Sequence, residues 1–257
     1  MADEKLHLAV QAPGDPEIFL TIQGEGASAG RPAVFVRLSG CNLHCWWCDT
    51  PYTWNWTGSD FSHRDTDAGG ARYEVSDERL TLSIAEVAKR IFELAGTPER
   101  LVLTGGEPMM QQTALAALIA LMKAESAATI IEIETNGTIA PKPEFRAMTD
   151  QFNVSPKLAG SRNDQAIRRR TDVLREYAAD PRATFKFVVS EEGELAEVDG
   201  LVAEIGATPE RVYLMAEGTS VEALNARAAW LIPAALALGF GYSDRMHTRV
   251  FGDTRGT

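Results

Sequence analysis

Ala33-Val34-Phe35-Val36-Arg37-Leu38-Ser39-Gly40 runs directly into Cys41-Asn42-Leu43-His44-Cys45-Trp46-Trp47-Cys48. The first part, rich in β-branched and apolar residues, predicts a strand at Ala33–Leu38. The second holds all three cysteines of the chain within eight residues. An odd, clustered set of thiols is poor material for a disulfide framework and reads as a ligand set. Thiolates are the usual ligands of iron–sulfur clusters, and a cubane usually takes four. Three at C-x3-C-x2-C spacing hold three irons and leave the fourth open to an outside ligand. A zinc knuckle would need a fourth ligand, with His44 the nearest candidate, and structural zinc sites favour paired CxxC patterns. A ferredoxin-like carrier would need a fourth cysteine, which the chain lacks.

Outward from that loop the chain alternates strand-like and helix-like stretches. Further strands are predicted at Leu101–Thr104, Thr129–Glu134, Gln151–Val154, Thr184–Val189 and Arg211–Met215. Between them, Ser83 and Glu86 form a capping-box signature ahead of Ile84, Val87, Ala88, Ile91 and Phe92 at helical spacing. Thr113 is a candidate cap for the next helix, and later helices are expected over about 165–178, 191–206 and 220–238, the last kinked at Pro233. Strand–helix alternation implies parallel βα units. Six strands are too few for a closed eight-stranded barrel, so the expected α/β fold is an open, about six-stranded parallel barrel. In parallel barrels chemistry gathers at the C-terminal strand ends. There stand the cysteines, Gly105-Gly106-Glu107-Pro108, Asn136-Gly137, Ser155-Pro156-Lys157 and Ala216-Glu217-Gly218. Residues 53–80 break the rhythm: polar and Gly-rich with scattered aromatics, they read as an insertion, either a lid or interface element or a surface loop. The chain is otherwise taken as one domain over 1–257.

The net charge of −11 and pI near 4.9 argue against a general nucleic-acid or membrane-surface binder. No apolar run approaches the roughly 20 residues of a membrane span, and Met1-Ala2-Asp3-Glu4-Lys5 does not resemble a signal peptide. A cytoplasmic location is expected.

The cysteine spacing closely resembles the radical S-adenosylmethionine (SAM) superfamily. Leu103-Thr104-Gly105-Gly106-Glu107-Pro108 is similar to its glycine-rich motif, which binds the methionine amino group of SAM. Glu134-Thr135-Asn136-Gly137 is similar to its segment near the ribose. By that resemblance Cys41, Cys45 and Cys48 hold a [4Fe-4S] cluster. SAM contacts fall on Trp47, Asp49, Gly105, Gly106, Glu107, Glu134, Asn136, Ser155, Pro156 and Lys157. Met215-Ala216-Glu217-Gly218 departs from the family's usual sequence there, which leaves SAM contact at that segment open.

Within the superfamily, Ile22-Gln23-Gly24-Glu25-Gly26, Arg37 four residues before Cys41, and Cys48-Asp49-Thr50 together resemble the 7-carboxy-7-deazaguanine synthase family. The similarity continues through Ser155-Pro156-Lys157 to Ser243-Asp244-Arg245-Met246-His247. It implies ring contraction of 6-carboxy-5,6,7,8-tetrahydropterin, with loss of ammonia and regeneration of SAM. It also implies a Mg²⁺ ion held in part by Thr50. Substrate contacts are implied at Ile22, Gln23, Gly24 and Thr104, with Glu25 in the same loop and Thr257 in the tail. Arg37 would meet the substrate carboxylate. An electron donor such as flavodoxin and a homodimer are implied too, with no direct nucleic-acid contact. The basic tail residues Arg245, His247, Arg249 and Arg255 read either as a field steering the anionic substrate or as solvated charges. Two other readings stay open. A small activase that places a glycyl radical on a protein would share the SAM motifs but would not need the Ile22–Gly26 string or Arg37. A redox-inert zinc or iron–sulfur interaction module would cleave no SAM.

Overall fold

The structure, a computed structural model, describes residues 4–257; Met1 to Asp3, read above as part of a non-signal N-terminus, lie outside them. The strands are β1 (Lys5–Ala12), β2 (Asp15–Pro16), β3 (Ile18–Ile22), β4 (Pro32–Leu38), β5 (Arg79–Ser83), β6 (Arg100–Gly105), β7 (Ile130–Thr135), β8 (Gln151–Val154), β9 (Ala183–Val189), β10 (Val212–Ala216) and β11 (Gly241–Ser243). They join in the order β11-β10-β9-β8-β7-β6-β4-β1-β2, with β3 also paired to β4 and β5 to β1. From β4 to β11 the pairing is parallel, and β1, β3 and β5 add antiparallel pairs.

The six predicted parallel strands are all present, and the barrel is larger than expected. A seventh parallel strand, β11, extends it, and the N-terminal segment builds an antiparallel flank. The two-residue period of a strand divides its side chains between two environments. One set, including Val34, Val36, Leu101, Leu103, Ile131, Ile133, Phe152, Phe185, Phe187 and Leu214, is buried in the main core. It packs with Ile84, Val87, Ile91, Leu115, Leu118, Met122, Val198 and Leu201 of the covering helices. The alternate set, with Phe35, Arg37, Thr104, Glu134, Lys186, Val188 and Met215, lines the interior. The apolar set stabilises the barrel, leaving the polar set free for chemistry. Truncating one of the core aromatics to alanine would cost roughly 3–5 kcal/mol.

The helices differ from expectation in detail. Ser83 does close a capping box on the helix Ile84–Ala95. The next helix is Gln112–Glu125, with Gln111 at the N-cap position and no side-chain cap bond, so Thr113 lies inside it. The expected helix at 165–178 is two pieces, Gln165–Arg168 and Thr171–Ala178. Val221–Leu238 runs through Pro233 as one helix, because Pro233 stands on its exposed face, where a carbonyl freed by the missing N–H can meet water. This helix is long and apolar enough by length and composition to cross a membrane, although Glu222 and Arg227 interrupt its apolar run; it packs on β10 and β11, with Leu224, Leu231 and Ala235 buried. Within 53–80 the chain forms the short helices Arg64–Asp67 and Val75–Glu78 and an isolated bridge between Trp56 and Tyr73, and it ends in β5.

Candidate active site

At the C-terminal strand ends lies a cavity of about 520 Å³. The loop after β4 enters it through Gly40, at φ +99°. Its three cysteines are free and line the cavity, with Cys45 the most buried. Burial pushes the Cys45 thiol up to about 12 and raises Cys41 and Cys48 as well. Thiols in this environment keep their protons unless a cation takes their place.

The glycine pair after β6 holds the loop rather than simply opening space for a ligand. A Cβ on Gly105 would lie 2.2 Å from the Leu38 carbonyl oxygen, and one on Gly106 would lie 2.0 Å from that of Gly40. Gly106 N donates to Leu38 O at 3.0 Å and Glu107 N to Gly40 O at 2.8 Å. Only glycine permits that approach. The insertion braces the other side. His63 is buried and its ring Nε2 bonds Cys48 O at 2.9 Å, while the rings of His44 and Phe61 stack at 3.4 Å.

Of the predicted site residues, Cys41, Cys45, Cys48, Thr50, Trp47, Asp49, Gly105, Gly106, Glu134, Asn136, Ser155 and Lys157 line this one cavity, as do Ile22, Gln23, Gly24, Glu25, Arg37, Thr104 and Thr257. Glu107 and Pro156 do not. The Glu107 carboxylate is fully buried and accepts from Met109 N, Thr135 Oγ1 and Asn136 N, tying the glycine motif to the end of β7. Burial raises its pKa despite those donors. Gln23 lines the cavity, but its Nε2 is spent on Glu132 (2.7 Å) and Glu134 (3.0 Å). Glu132 also accepts from Ser28, Arg100 and Asn153. The 22–26 loop is thus anchored inside the barrel through its side chains and offers mainly backbone to a ligand. Gly24 is glycine because His247 packs on it; a Cβ there would meet His247 Nδ1 at 2.3 Å.

Sequence reading missed most of the charge lattice behind this loop. Lys186, nearly buried on β9, pairs with Glu25 and with Glu134 at 3.1 Å. Arg245 pairs with Glu25 at 3.0 Å and with Asp49. Burial alone would raise the Glu25 carboxyl, but Lys186, Arg245 and His247 outweigh it and hold it well below the usual carboxylate range. For Glu134 burial wins and the pKa goes up. Arg37 uses Nε on the buried Glu17 at 2.7 Å, and Tyr52 OH donates to the same carboxylate. Burial opposes the guanidinium's charge, but Glu17 more than offsets it and keeps Arg37 protonated. Its terminal nitrogens make no hydrogen bond among the described residues. Of the cations lining the cavity, Lys157 alone has no carboxylate partner among the described residues; its Nζ donates to Ser155 Oγ at 2.8 Å. Arg64, from the insertion, pairs with Glu217 at 3.0 Å, and Arg227 holds that carboxylate at 3.1 Å. The tail does not act as one basic stretch. Arg245, His247 and Arg255 line the cavity, whereas Arg249 pairs with Asp244 outside it.

Among the described residues, no three His, Cys, Asp or Glu side chains converge closely enough to hold one metal ion. Three free thiols lining a common cavity, with no fourth cysteine in the chain, fit an iron–sulfur cluster with one open iron.

Residues 35–179 match the family model of the radical SAM superfamily. Two relatives are proteins named 7-carboxy-7-deazaguanine synthase. The one from Rhodopirellula baltica is 36% identical over 94% of this chain and 87% of its own length. The one from Pyrobaculum aerophilum is 34% identical over 93% and 95%. A crystal structure of QueE from Escherichia coli matches with a TM-score of 0.64 at 26% identity, covering 94% of this chain and 95% of that one. The chain belongs to the radical SAM superfamily and, within it, to the 7-carboxy-7-deazaguanine synthase family.

Proposed function

We propose that this chain converts 6-carboxy-5,6,7,8-tetrahydropterin to 7-carboxy-7-deazaguanine by radical SAM chemistry. The observation that supports it best is the sharing of one cavity by three free thiols, a Lys157 without a carboxylate partner among the described residues, and the Arg37 guanidinium. Cys41, Cys45 and Cys48 would hold the cluster, whose open iron takes SAM. When bound, the cluster supplies the electron that cleaves SAM to an alkyl radical able to take hydrogen from the substrate ring.

The protein's own residues bind, orient and shield. Lys157 is free to meet the SAM carboxylate, and Asn136 and Ser155 stand close by on the neighbouring strand ends. Trp47, Asp49, Gly105 and Gly106 line the same cavity, with Glu107 and Pro156 outside its lining. Arg37 is held by Glu17 through Nε, so its free nitrogens form a preset fork for the substrate carboxylate. The Ile22–Gly24 backbone, Glu25 and Thr104 face the polar edge of the pterin, with Thr257 at the rim. Glu134, whose pKa burial raises, is the lining group best suited to hold or pass a proton during loss of ammonia. Thr50 offers one hard oxygen, so Mg²⁺ would bind only with substrate oxygens and waters completing its shell. The reading also takes the enzyme as a cytoplasmic homodimer reduced by a donor such as flavodoxin, with no direct nucleic-acid contact.

The test is anaerobic turnover of reconstituted protein with dithionite, SAM and the pterin acid, with and without Mg²⁺, read by mass spectrometry. Ring-contracted acid that rises with Mg²⁺ is expected. Cleavage of SAM to 5′-deoxyadenosine without a deazapurine would overturn the substrate, and intact SAM beside a reduced cluster would overturn the chemistry.

A further inference from the structure

The loop after β8 grips the cysteine loop from outside. Trp46 N donates to Ser161 O at 2.9 Å, and His44 N donates to Asn163 Oδ1 at 2.8 Å. The Arg162 guanidinium lies 3.6 Å from the centre of the Trp46 ring. Arg162 is also the one non-glycine residue at positive φ among those described, at +60°. A side-chain-bearing residue adopts that conformation only where its surroundings enforce it, and such positions cluster at functional sites. Here it turns the chain so that Ser161 and Asn163 both face the cysteines.

Asn163 makes a second contact. Its Nδ2 lies 3.3 Å from Cys45 Sγ. The amide orientation is fixed by chemistry: a backbone N–H can only donate, so the atom facing His44 is the oxygen, and the nitrogen faces the sulfur. Cys45 is the most buried of the three thiols. The nearest partners of the other two lie within the loop itself, Leu43 N for Cys41 and Thr50 Oγ1 for Cys48. Cys48 has the Trp54 indole beside it as well, from the segment that follows directly, so among the described residues Cys45 is the thiol whose side-chain donor comes from a distant part of the chain.

We propose that Asn163 is a positioning residue for the cluster: its amide oxygen holds the cysteine loop through His44, and its N–H to Cys45 sulfur raises the cluster's reduction potential. The inference rests on the cluster assignment above. Hydrogen bonds to cluster sulfurs favour the more negative, reduced state, because the extra electron is partly carried on sulfur. Removing the donor therefore makes the cluster harder to reduce.

Two substitutions separate the functions. Asn163→Ala removes both contacts. Asn163→Asp keeps an acceptor for His44 N but turns an oxygen toward sulfur. Each is reconstituted anaerobically beside wild type, iron per chain is counted, the melting temperature of the cluster-free form is taken, and the midpoint potential is found by EPR-monitored titration without SAM. At a potential that half-reduces the wild-type cluster, the reduced-to-oxidised ratio should fall about tenfold in Asn163→Asp, which is 59 mV for a one-electron couple. In Asn163→Ala it should fall severalfold. An alanine variant that folds but takes up no iron, beside an aspartate variant that loads at a lowered midpoint, would support both halves. A wild-type midpoint in either loaded variant overturns the proposal. Failure of the wild-type protein itself to yield a reducible [4Fe-4S] cluster overturns instead the reading beneath it, so the two failures are distinguishable.

Discussion

Replacing Lys186 with methionine keeps most of the side chain's apolar volume and deletes its charge. In the native protein this ammonium is buried between Glu25 and Glu134. Without it, two buried carboxylates face one another, and the nearest compensation comes from Arg245 on Glu25 and from Gln23 and Asn153 on Glu134. Breaking a buried ion pair by removing one partner costs about 3–5 kcal/mol. For a chain of this size about 1 kcal/mol shifts Tm by about 2–4 °C, so Tm should drop by about 6–20 °C. The pH dependence has a definite sign. Burial already raises the Glu134 pKa, with Lys186 opposing it; deleting Lys186 raises it further. A carboxyl whose folded pKa lies above its unfolded value contributes stability at low pH and loses it as pH rises through the folded pKa. The deficit of Lys186→Met should therefore widen as pH rises above the range where an ordinary carboxyl titrates. Calorimetry on the cluster-free protein reads this without any cofactor. Adding Glu134→Gln should recover part of the loss, since the two sites share one contact. A single variant melting within about 2 °C of wild type, or a double variant no more stable than the single, would refute the idea that this lattice is held by mutual neutralisation.

Gly106→Ala puts a methyl 2.0 Å from the Gly40 carbonyl. Because the neighbour is backbone, the substitution should cost at least the roughly 1–3 kcal/mol of an overpacked site; iron uptake on reconstitution should fall with it, and full loading at wild-type Tm would count against the cementing role. Gly24→Ala should push His247 from its place and lower turnover by about 10²-fold, and should cost much less in a His247→Ala background, where the ring clash is gone and only the backbone nitrogen at 3.1 Å stays close. Arg37→Lys keeps the charge but cannot serve Glu17 and a substrate carboxylate in one plane; the pterin KM should rise about tenfold, as expected for a lost charge-assisted hydrogen bond of about 1.5–3 kcal/mol, and an unchanged KM would place the substrate carboxylate elsewhere.

The parallel core was legible because its strands are short runs of β-branched and apolar residues between amphipathic helices. β11 was not, since Gly-Tyr-Ser carries no such run and is drawn into the sheet by pairing with β10. Lys5–Leu8 alternates in burial before Leu8, Ala9 and Val10 are buried together, but the strand lies outside the strand–helix rhythm, and its partner β5 emerges only at the end of a polar stretch. The cysteine site was readable because its ligands are neighbours in sequence. Lys186 and Glu132 were not, because alternation in a strand shows that two faces exist without showing which one closes inward. Arg245 and His247 read as tail charges until the fold brings them onto Glu25, more than two hundred residues earlier in the chain.

That lattice also changes how the substrate would be attracted. The chain carries a net charge of −11, and a basic tail suggested a steering field for an anion. In the fold, the cavity is lined by seven carboxylates, Glu17, Glu25, Asp49, Asp65, Glu134, Glu217 and Asp253, against six cations, Arg37, Arg64, Lys157, Lys186, Arg245 and Arg255. Five of those cations are already paired with carboxylates. Long-range attraction scales with the summed charge, and here the sum is close to zero. Short-range recognition depends on which donors remain unspent, and those are the Lys157 ammonium and the outer nitrogens of Arg37. The paired charges fix geometry, and the Lys157 ammonium with the outer nitrogens of Arg37 would give the cavity a preference for carboxylates.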